Sequence, residues 1–255
     1  MKRLYILIVF TAMVVSLGAQ TIQDKRFEAA NALYNKGERE SYEAALATYD
    51  SIIADKYVSA ALLYNIGNTY FKLNNYPMAI LNYEKALKLD PTNADIKKNL
   101  EITNSLLTDK IEPVPEHFIK RWINSIGNMF SANGWAILSL VLFGILVILI
   151  FLYITAGTKL LKEVSFFGGI LVILLFVCSI IFANRSVNIL NQHNEAIITE
   201  STTTVKSAPS ESGTDIFVLH SGTKVTILDK EGDWDRIKIA DGRDGWLPSS
   251  SSIKY

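Results

Sequence analysis

Asparagine and aromatic side chains recur at helical spacing in the N-terminal part of the chain, and they predict a binding surface. The residues are Phe27, Asn31, Tyr34, Tyr64, Asn65, Asn68, Phe71, Lys72 and Asn99. An Asn amide can donate to and accept from the backbone of an extended peptide, and the rings supply apolar anchors. The alternative interpretation is that these residues only solvate one face of a helical array. We predict a peptide-binding groove.

Residue types that act as nucleophiles or metal ligands are sparse. The histidines His117, His193 and His220 are scattered without metal-ligand spacing, and the single cysteine, Cys178, lies in an apolar run that suppresses its thiolate. The sequence has no glycine-rich phosphate loop, HExxH or GxSxG motif. We therefore predict a non-enzymatic protein with no cofactor and no metal. The charge balance, 25 basic and 25 acidic residues, gives no reason to expect nucleic acid as a partner.

The helices that must position the groove follow a repeating pattern. Residues 60–93 carry Gly67 and Tyr70, then Ala79, Tyr83 and Ala86, then Pro91. This unit resembles a tetratricopeptide repeat, a helix–turn–helix of 34 residues. A less regular unit covers residues 23–59, and a capping first helix follows at 94–107, because a terminal repeat cannot bury its own apolar face alone. A generic helical bundle is the alternative.

The resemblance to tetratricopeptide repeats also bears on the ligand. Repeats of this family that bind a C-terminal carboxylate use two Asn residues and several basic residues. Asn31 and Asn65 match the two Asn positions, but Phe27, Asp95 and Asn99 occupy the basic ones. The electrostatic part of that clamp is therefore missing.

The C-terminal part changes to short β-rich runs separated by turns. Residues 197–255 resemble a bacterial SH3-like (SH3b) domain, through VKSAPS at 205–210, GTKV at 222–225, GDW at 232–234 and DGRDGWL at 241–247. This resemblance implies a small β-barrel. Trp234 and Trp246 are the candidate ligand face, able to stack on a glycan or a peptide, unless they are core residues.

Two apolar runs, at 136–154 and 166–182, are separated by only a short polar loop. A helix needs roughly 20 apolar residues to cross a bilayer, so the runs predict a transmembrane hairpin rather than buried core helices. Residues 1–20 have the charged start and apolar stretch of a secretory signal peptide, with an uncleaved anchor as the alternative. Export of the N-terminus then places both flanking domains in the periplasm and the loop in the cytoplasm.

Between repeats and hairpin, DKIEPVPE at 109–116 predicts a stiff spacer. Phe118, Ile119, Trp122 and Ile123 follow at helical spacing beside basic residues, which predicts a helix lying in the membrane interface. A core helix packed on the repeats is the alternative.

The chain as a whole resembles the BatE family of the Bacteroides aerotolerance (Bat) operon. The resemblance is carried by DKIEPVPE, Arg121-Trp122, SANGW at 131–135, and residues 205–246 with GTDIFVLH at 213–220. It implies a non-enzymatic protein of the inner membrane that acts in aerotolerance or envelope stress. The implied partners are other Bat proteins, including membrane proteins with von Willebrand A domains.

The predicted fold class is mainly α: a tetratricopeptide-repeat array, a two-helix transmembrane hairpin and a small SH3-like β-barrel. The predicted domains are a signal peptide (1–20), the repeats (21–108), the spacer and interfacial helix (109–134), the hairpin (135–184), a linker (185–196) and the SH3b domain (197–255). The expected function is a periplasmic interaction scaffold that contacts proteins and membrane lipid. A tether that binds peptidoglycan through the SH3b domain is the alternative.

Overall fold

The computed structural model describes residues 22–255, which fold into helices followed by one antiparallel sheet. The predicted signal peptide, residues 1–20, lies outside the described residues. The predicted fold class is confirmed: the protein is mainly helical, with two apolar candidate spans and a C-terminal antiparallel sheet of the SH3b type.

Five helices form an array in which consecutive helices pack pairwise. They are α1 (Ile22–Tyr34), α2 (Arg39–Ala54), α3 (Ala60–Lys72), α4 (Tyr76–Leu89) and α5 (Ala94–Ser105). Side-chain caps set the starts of three helices, because the oxygens of Ser59, Asn75 and Asn93 accept hydrogen bonds from the free amides of the first turn. These caps fix where the array turns.

The contact between α3 and α4 depends on a glycine. A Cβ added at Gly67 would lie 2.6 Å from the Tyr83 ring, so the helices approach this closely only without a side chain there. Tyr83 is 1% exposed and packs with Ala79 and Ala86. The ring therefore fills the seam, and its hydroxyl points toward the opposite, concave side of the array, where it meets Asn68.

Two long helices, α7 (Ala132–Thr155) and α8 (Lys159–Asn191), form a hairpin, and both are long and apolar enough to cross a membrane. Only 6% and 11% of their most apolar windows are buried. The Ser139 and Ser179 hydroxyls share a hydrogen bond of 2.8 Å, and the Trp135 ring stacks on Phe182 at 4.9 Å between centroids. Most of the apolar surface of the hairpin is exposed, so its two helices could cross a membrane.

A short helix, α6 (Phe118–Gly127), precedes the hairpin and lies beside the end of α8. Arg185 Nη2 on α8 donates to Asn124 Oδ1 on α6 at 2.6 Å. Phe118 and Trp122 on the other side of α6 are 71% and 69% exposed. The apolar face of α6 is therefore exposed, and α6 lies beside the part of α8 that follows its apolar run.

Seven strands form the C-terminal sheet, in the order β3-β2-β6-β5-β4-β1-β7. They are β1 (Glu195–Ile198), β2 (Thr202–Lys206), β3 (Asp215–His220), β4 (Lys224–Glu231), β5 (Trp234–Lys238), β6 (Asp244–Pro248) and β7 (Ser252–Lys254). Val205, Val225, Ile237 and Leu247 are fully buried at its centre. Alternate residues of β1, β3 and β4 supply part of this core, as expected for a half-buried sheet.

The segment predicted as a spacer lies against the barrel. Both Asp109 carboxylate oxygens are bonded there: the His220 amide donates to Oδ2 at 2.8 Å, the Thr223 hydroxyl donates to Oδ2 at 2.6 Å, and His220 Nδ1 lies 2.7 Å from Oδ1. Ile111 packs on the barrel core, and the Val114 amide donates to the Ala240 carbonyl at 2.9 Å. Array and barrel are therefore joined through this segment as well as through direct contact.

Candidate functional site

The concave side of the array contains a cavity of about 330 Å³ that brings most of the predicted groove residues together. Its lining comprises Tyr34, Tyr64, Asn68, Phe71, Lys72, Tyr83, Asn99 and Ile102. A neighbouring cavity of about 240 Å³ is lined by Asn31, Tyr34, Asn35 and Asn65. Tyr34 borders both cavities, and we call the two together the groove.

Buried tyrosines and neighbouring amides form the floor of the groove in two similar clusters. In the first, Asn31 Oδ1 accepts from the Tyr49 hydroxyl at 2.6 Å and from Asn65 Nδ2 at 2.8 Å. In the second, Asn68 Oδ1 accepts from the Tyr83 hydroxyl at 2.7 Å and from Asn99 Nδ2 at 2.8 Å. Each cluster holds two amides in fixed orientations.

The hydroxyls that hold these amides stay protonated. Burial raises the pKa of Tyr49 to about 12, although the hydrogen bond from Asn65 opposes the rise. Burial, with a further contribution from Tyr64, also raises the pKa of Tyr83, against the opposing hydrogen bond from Asn99. Both hydroxyls therefore remain donors at neutral pH, and the two clusters keep their geometry without any titrating group.

The clusters leave part of each amide unused. Within residues 22–255, Nδ2 of Asn31, Nδ2 of Asn68, Oδ1 of Asn65 and Oδ1 of Asn99 have no hydrogen-bond partner. The groove thus offers donors and acceptors of the kind that an extended backbone pairs with. Lys72 supplies a cation, and no carboxylate lines either cavity.

Phe27 lies apart from the other predicted groove residues. Its ring packs on the array core, 6.1 Å from the Tyr49 ring. It borders a separate cavity of about 200 Å³, together with Asp24, Ile52, Tyr57, Ser59 and Leu62. The described structure thus places eight of the nine predicted residues around the groove and Phe27 behind it.

Tyr49 and Tyr83 contact the groove amides, although neither was predicted as a groove residue. Both are at most 1% exposed, which is typical of core residues, yet their hydroxyls reach the groove amides. A signal existed in the sequence, because Asn31 and Asn65 are 34 residues apart, as are Tyr49 and Tyr83, whereas the second acceptor, Asn68, falls three residues after Asn65.

The two candidate tryptophans lie on the outward face of the barrel. In the β5–β6 ladder Trp234 is opposite Pro248, and Arg236 is opposite Trp246. The intervening residues Asp235 and Leu247 are fully buried, so the alternation places both Trp side chains on the other face. Both are half-buried. The alternative that these rings form the barrel core does not apply.

The side of α4 that faces the barrel is also polar, but its charges are paired. Lys224 Nζ lies 2.9 Å from both Glu84 and Glu195, and Lys88 Nζ lies 3.3 Å from Glu195. Lys88 also donates to the Tyr255 carbonyl and lies over the Tyr255 ring, 4.4 Å from its centroid. The ring packs with Ile80, Leu81 and Ile197. We call this contact between α4 and the barrel the lock.

The charges of the lock shift one another's pKa values. Burial disfavours the charge of Lys224, but Glu84, Tyr255 and Glu195 more than offset this and raise its pKa above the ordinary value. Burial likewise opposes ionisation of Glu195, and Lys224 and Lys88 lower its pKa below the ordinary 4.5. Lys224 and Glu195 are therefore both charged at neutral pH.

The described residues contain no group of three or more His, Cys, Asp or Glu side chains that could hold a metal ion. The groove lining also lacks the pairing of a nucleophile with a base. What the side chains of the groove can do chemically is hydrogen-bond and stack.

Two family models match the chain. The one described as Tetratricopeptide repeat matches residues 60–93, and the one described as Bacterial SH3 domain matches residues 201–254. No curated protein matches the chain. The protein therefore combines a tetratricopeptide repeat with a bacterial SH3 domain, as predicted. Both are typically non-catalytic interaction domains, which suggest protein interaction or peptidoglycan binding, and no enzyme family is indicated.

Proposed function

We propose that the protein is a non-enzymatic scaffold of the bacterial inner membrane that binds an extended segment of a partner protein in its groove. The observation that carries this proposal is the set of unpartnered amide groups, which are fixed from below by buried tyrosines and flanked by aromatic rings. The groove residues in this proposal are Asn31, Tyr34, Tyr64, Asn65, Asn68, Phe71, Lys72 and Asn99, with Phe27 outside the contact.

The proposal includes the arrangement along the chain. The hairpin crosses the membrane twice, the signal peptide at 1–20 directs export, and the repeats (21–108) and SH3b domain (197–255) share the periplasm. The interfacial helix within 109–134 contacts membrane lipid, and residues 185–196 link the hairpin (135–184) to the barrel. The lock supports a shared compartment, because repeats and barrel contact each other directly.

The partner class follows from the resemblance to the BatE family. We propose that the partners are other Bat proteins, including membrane proteins with von Willebrand A domains, and that the assembly serves aerotolerance or envelope stress. The groove lining has one cation and no carboxylate, which favours a partner segment without excess positive charge.

A pull-down of the full-length protein from solubilised membranes tests the groove. The Asn65→Ala/Phe71→Ala variant removes one free amide and one ring, and we expect it to lose partners that the wild type retains. Asn104→Ala is the matched control, because Asn104 presents an amide on α5 but lines neither groove cavity. Identical partners for wild type and the double variant would contradict the groove proposal.

A second function is favoured by the outward tryptophans: the SH3b domain binds peptidoglycan and tethers the envelope. Ile197 and Tyr255 are buried against α4, so the test uses the full chain in detergent rather than an isolated barrel. We expect co-sedimentation with purified sacculi that Trp234→Ala and Trp246→Ala each weaken. Absence of the wild-type protein from the pellet would exclude the tether and leave the groove proposal untouched.

A further inference from the structure

A further cavity of about 320 Å³, separate from the groove and from the cavity beside Phe27, lies where the array, the barrel and the hairpin meet. The end of α4, the end of α6, the start of α7 and the last turns of α8 border it, with the start of β4. Its charged lining residues are Lys88, Lys97, Arg185, Lys224 and Glu84. Cations therefore outnumber the single lining carboxylate.

Two of these cations are fully paired, and two are only partly engaged. Lys88 and Lys224 are paired with Glu84 and Glu195 in the lock. The Lys97 ammonium forms no hydrogen bond or salt bridge within residues 22–255, and it interacts electrostatically with Asp90. The buried Nη1 of Arg185 also has no partner there, while Nη2 is held by Asn124. Nη1 packs against Gly127, so Arg185 lines the cavity through its other side-chain atoms.

The position of the cavity indicates which anion would reach it. Arg185 lies three residues after Phe182, which is the last residue of the second apolar run. This spacing is less than one helical turn, or about 4.5 Å along the helix axis. Phe182 stacks on Trp135 at the start of the first span. Asn124 of α6 also lines the cavity, and the exposed apolar face of α6, with Phe118 and Trp122, lies on the other side of that helix. When the hairpin crosses a membrane, the cavity lies at the level of the lipid headgroups.

We propose that this cavity binds the phosphate of an anionic phospholipid headgroup through Arg185 and Lys97. Guanidinium and ammonium groups are the side chains that bind phosphate oxygens most strongly. The acyl chains would then lie against the apolar residues of α6 and α8. This inference rests on the proposed membrane crossing of the hairpin. It assigns a lipid site where repeats, barrel and membrane meet.

The test uses the full-length protein in a zwitterionic detergent and follows its thermal unfolding. Short-chain phosphatidylglycerol, short-chain phosphatidylcholine and inorganic phosphate are titrated separately. A ligand that binds the folded state raises Tm with concentration. We expect phosphatidylglycerol to raise Tm more than the other two, and Lys97→Gln to weaken its apparent affinity about tenfold, as expected for losing one charge-assisted contact.

Lys98→Gln is the matched control, because it removes the neighbouring exposed lysine, which does not line the cavity. Lys97 is chosen over Arg185 because an Arg185 variant also loses the bond to Asn124. The site would be overturned if Lys97→Gln and Lys98→Gln weakened the apparent affinity for phosphatidylglycerol equally. It would also be overturned if phosphatidylglycerol did not raise the Tm of the wild-type protein. If inorganic phosphate raised Tm as much as phosphatidylglycerol does, the assignment to a lipid would be overturned. Failure of the membrane crossing itself is detected separately, as release of the protein from membranes by alkaline carbonate without detergent.

Discussion

The groove and the lock are both polar surfaces of one helical array, and they differ in how their polar atoms are satisfied. In the lock, Lys224 and Glu84 are paired across the two domains, and Lys224 lies over the ring of Tyr255. In the groove, Oδ1 of Asn65 and Oδ1 of Asn99 have no partner within the described part of the chain. One surface is a completed contact, and the other remains open to a ligand.

The difference follows from the side chains that each surface uses. Partly buried ions must be paired, because an unpaired charge away from water is very costly. Neutral amides at a solvated surface carry no such requirement. The array can therefore keep its groove open, whereas the surface of α4 that carries Glu84 and Lys88 requires the barrel.

The largest expected effect comes from removing the ring at the centre of the lock. Tyr255 is 5% exposed and packs with Ile80, Leu81 and Ile197. We expect Tyr255→Ala to lower the free energy of unfolding by about 3 kcal/mol, since it deletes a buried aromatic side chain. Thermal denaturation of the full chain measures this. Tyr255→Phe keeps the ring and should retain most of the stability, and an equal loss in both variants would contradict the role assigned to the ring.

A smaller effect is expected on acidification, in the lock and where Asp109 bonds to the barrel. Burial opposes ionisation of Glu195, but Lys224 and Lys88 lower its pKa below 4.5. Burial similarly opposes ionisation of Asp109, but hydrogen bonds from Thr223 and His220 lower its pKa below 3.8. Groups with a depressed pKa stabilise the fold above their unfolded values, and this contribution is lost as the pH falls through the folded pKa.

We therefore expect the lock to weaken below about pH 4.5, the ordinary value for a Glu side chain. Limited proteolysis with pepsin across this range should cleave residues 109–116 increasingly as the pH falls. The Glu195→Gln variant should show a shallower pH dependence, since it has one such carboxylate fewer. As the pH falls, cleavage should begin before partner binding in the groove is lost. If binding were instead lost steeply at a pH above the onset of cleavage, the two surfaces would not differ as described.

The smallest effect is expected at the floor of the groove. Tyr83→Phe removes the hydroxyl that donates to Asn68. We expect a loss of about 1 kcal/mol in the free energy of unfolding, the usual net value of one hydrogen bond. Partner binding should fall more than stability does, because Asn68 loses its fixed orientation. Tyr76→Phe is the control, since the Tyr76 hydroxyl bonds only to exposed Asn74. Equal effects of both substitutions on partner binding would argue against the floor's role.

Much of the architecture was predictable because it depends on local signals. The spacing of Gly67, Ala79, Tyr83 and Pro91 specifies a helical repeat, since a small residue must face a ring and a proline must end a helix. The length and composition of the two apolar runs specify two helices long and apolar enough to cross a membrane. The turn signals after residue 196 specify a small β domain. Each of these patterns lies within one or two neighbouring helices or strands, so the sequence alone reveals it.

The groove residues were predictable only in part. Register within the repeat identified the amides of Asn31, Asn65 and Asn99, because residues at equivalent positions share one face. It did not identify the tyrosine hydroxyls that orient them, since Tyr49 and Tyr83 have the pattern of core residues. It also grouped Phe27 with the amides, whereas packing turns that ring toward Tyr49. Side-chain direction within a seam depends on neighbours from other helices.

The sequence by itself determined the elements of this protein and their order, because hydrophobic period, capping residues and turn residues act over short distances. Only the tertiary structure decided that the predicted spacer lies on the barrel through Asp109 and that Lys224 and Tyr255 join the barrel to α4. These contacts link residues more than a hundred positions apart. Each depends on the spatial approach of separate domains, for which no local spacing gives a signal.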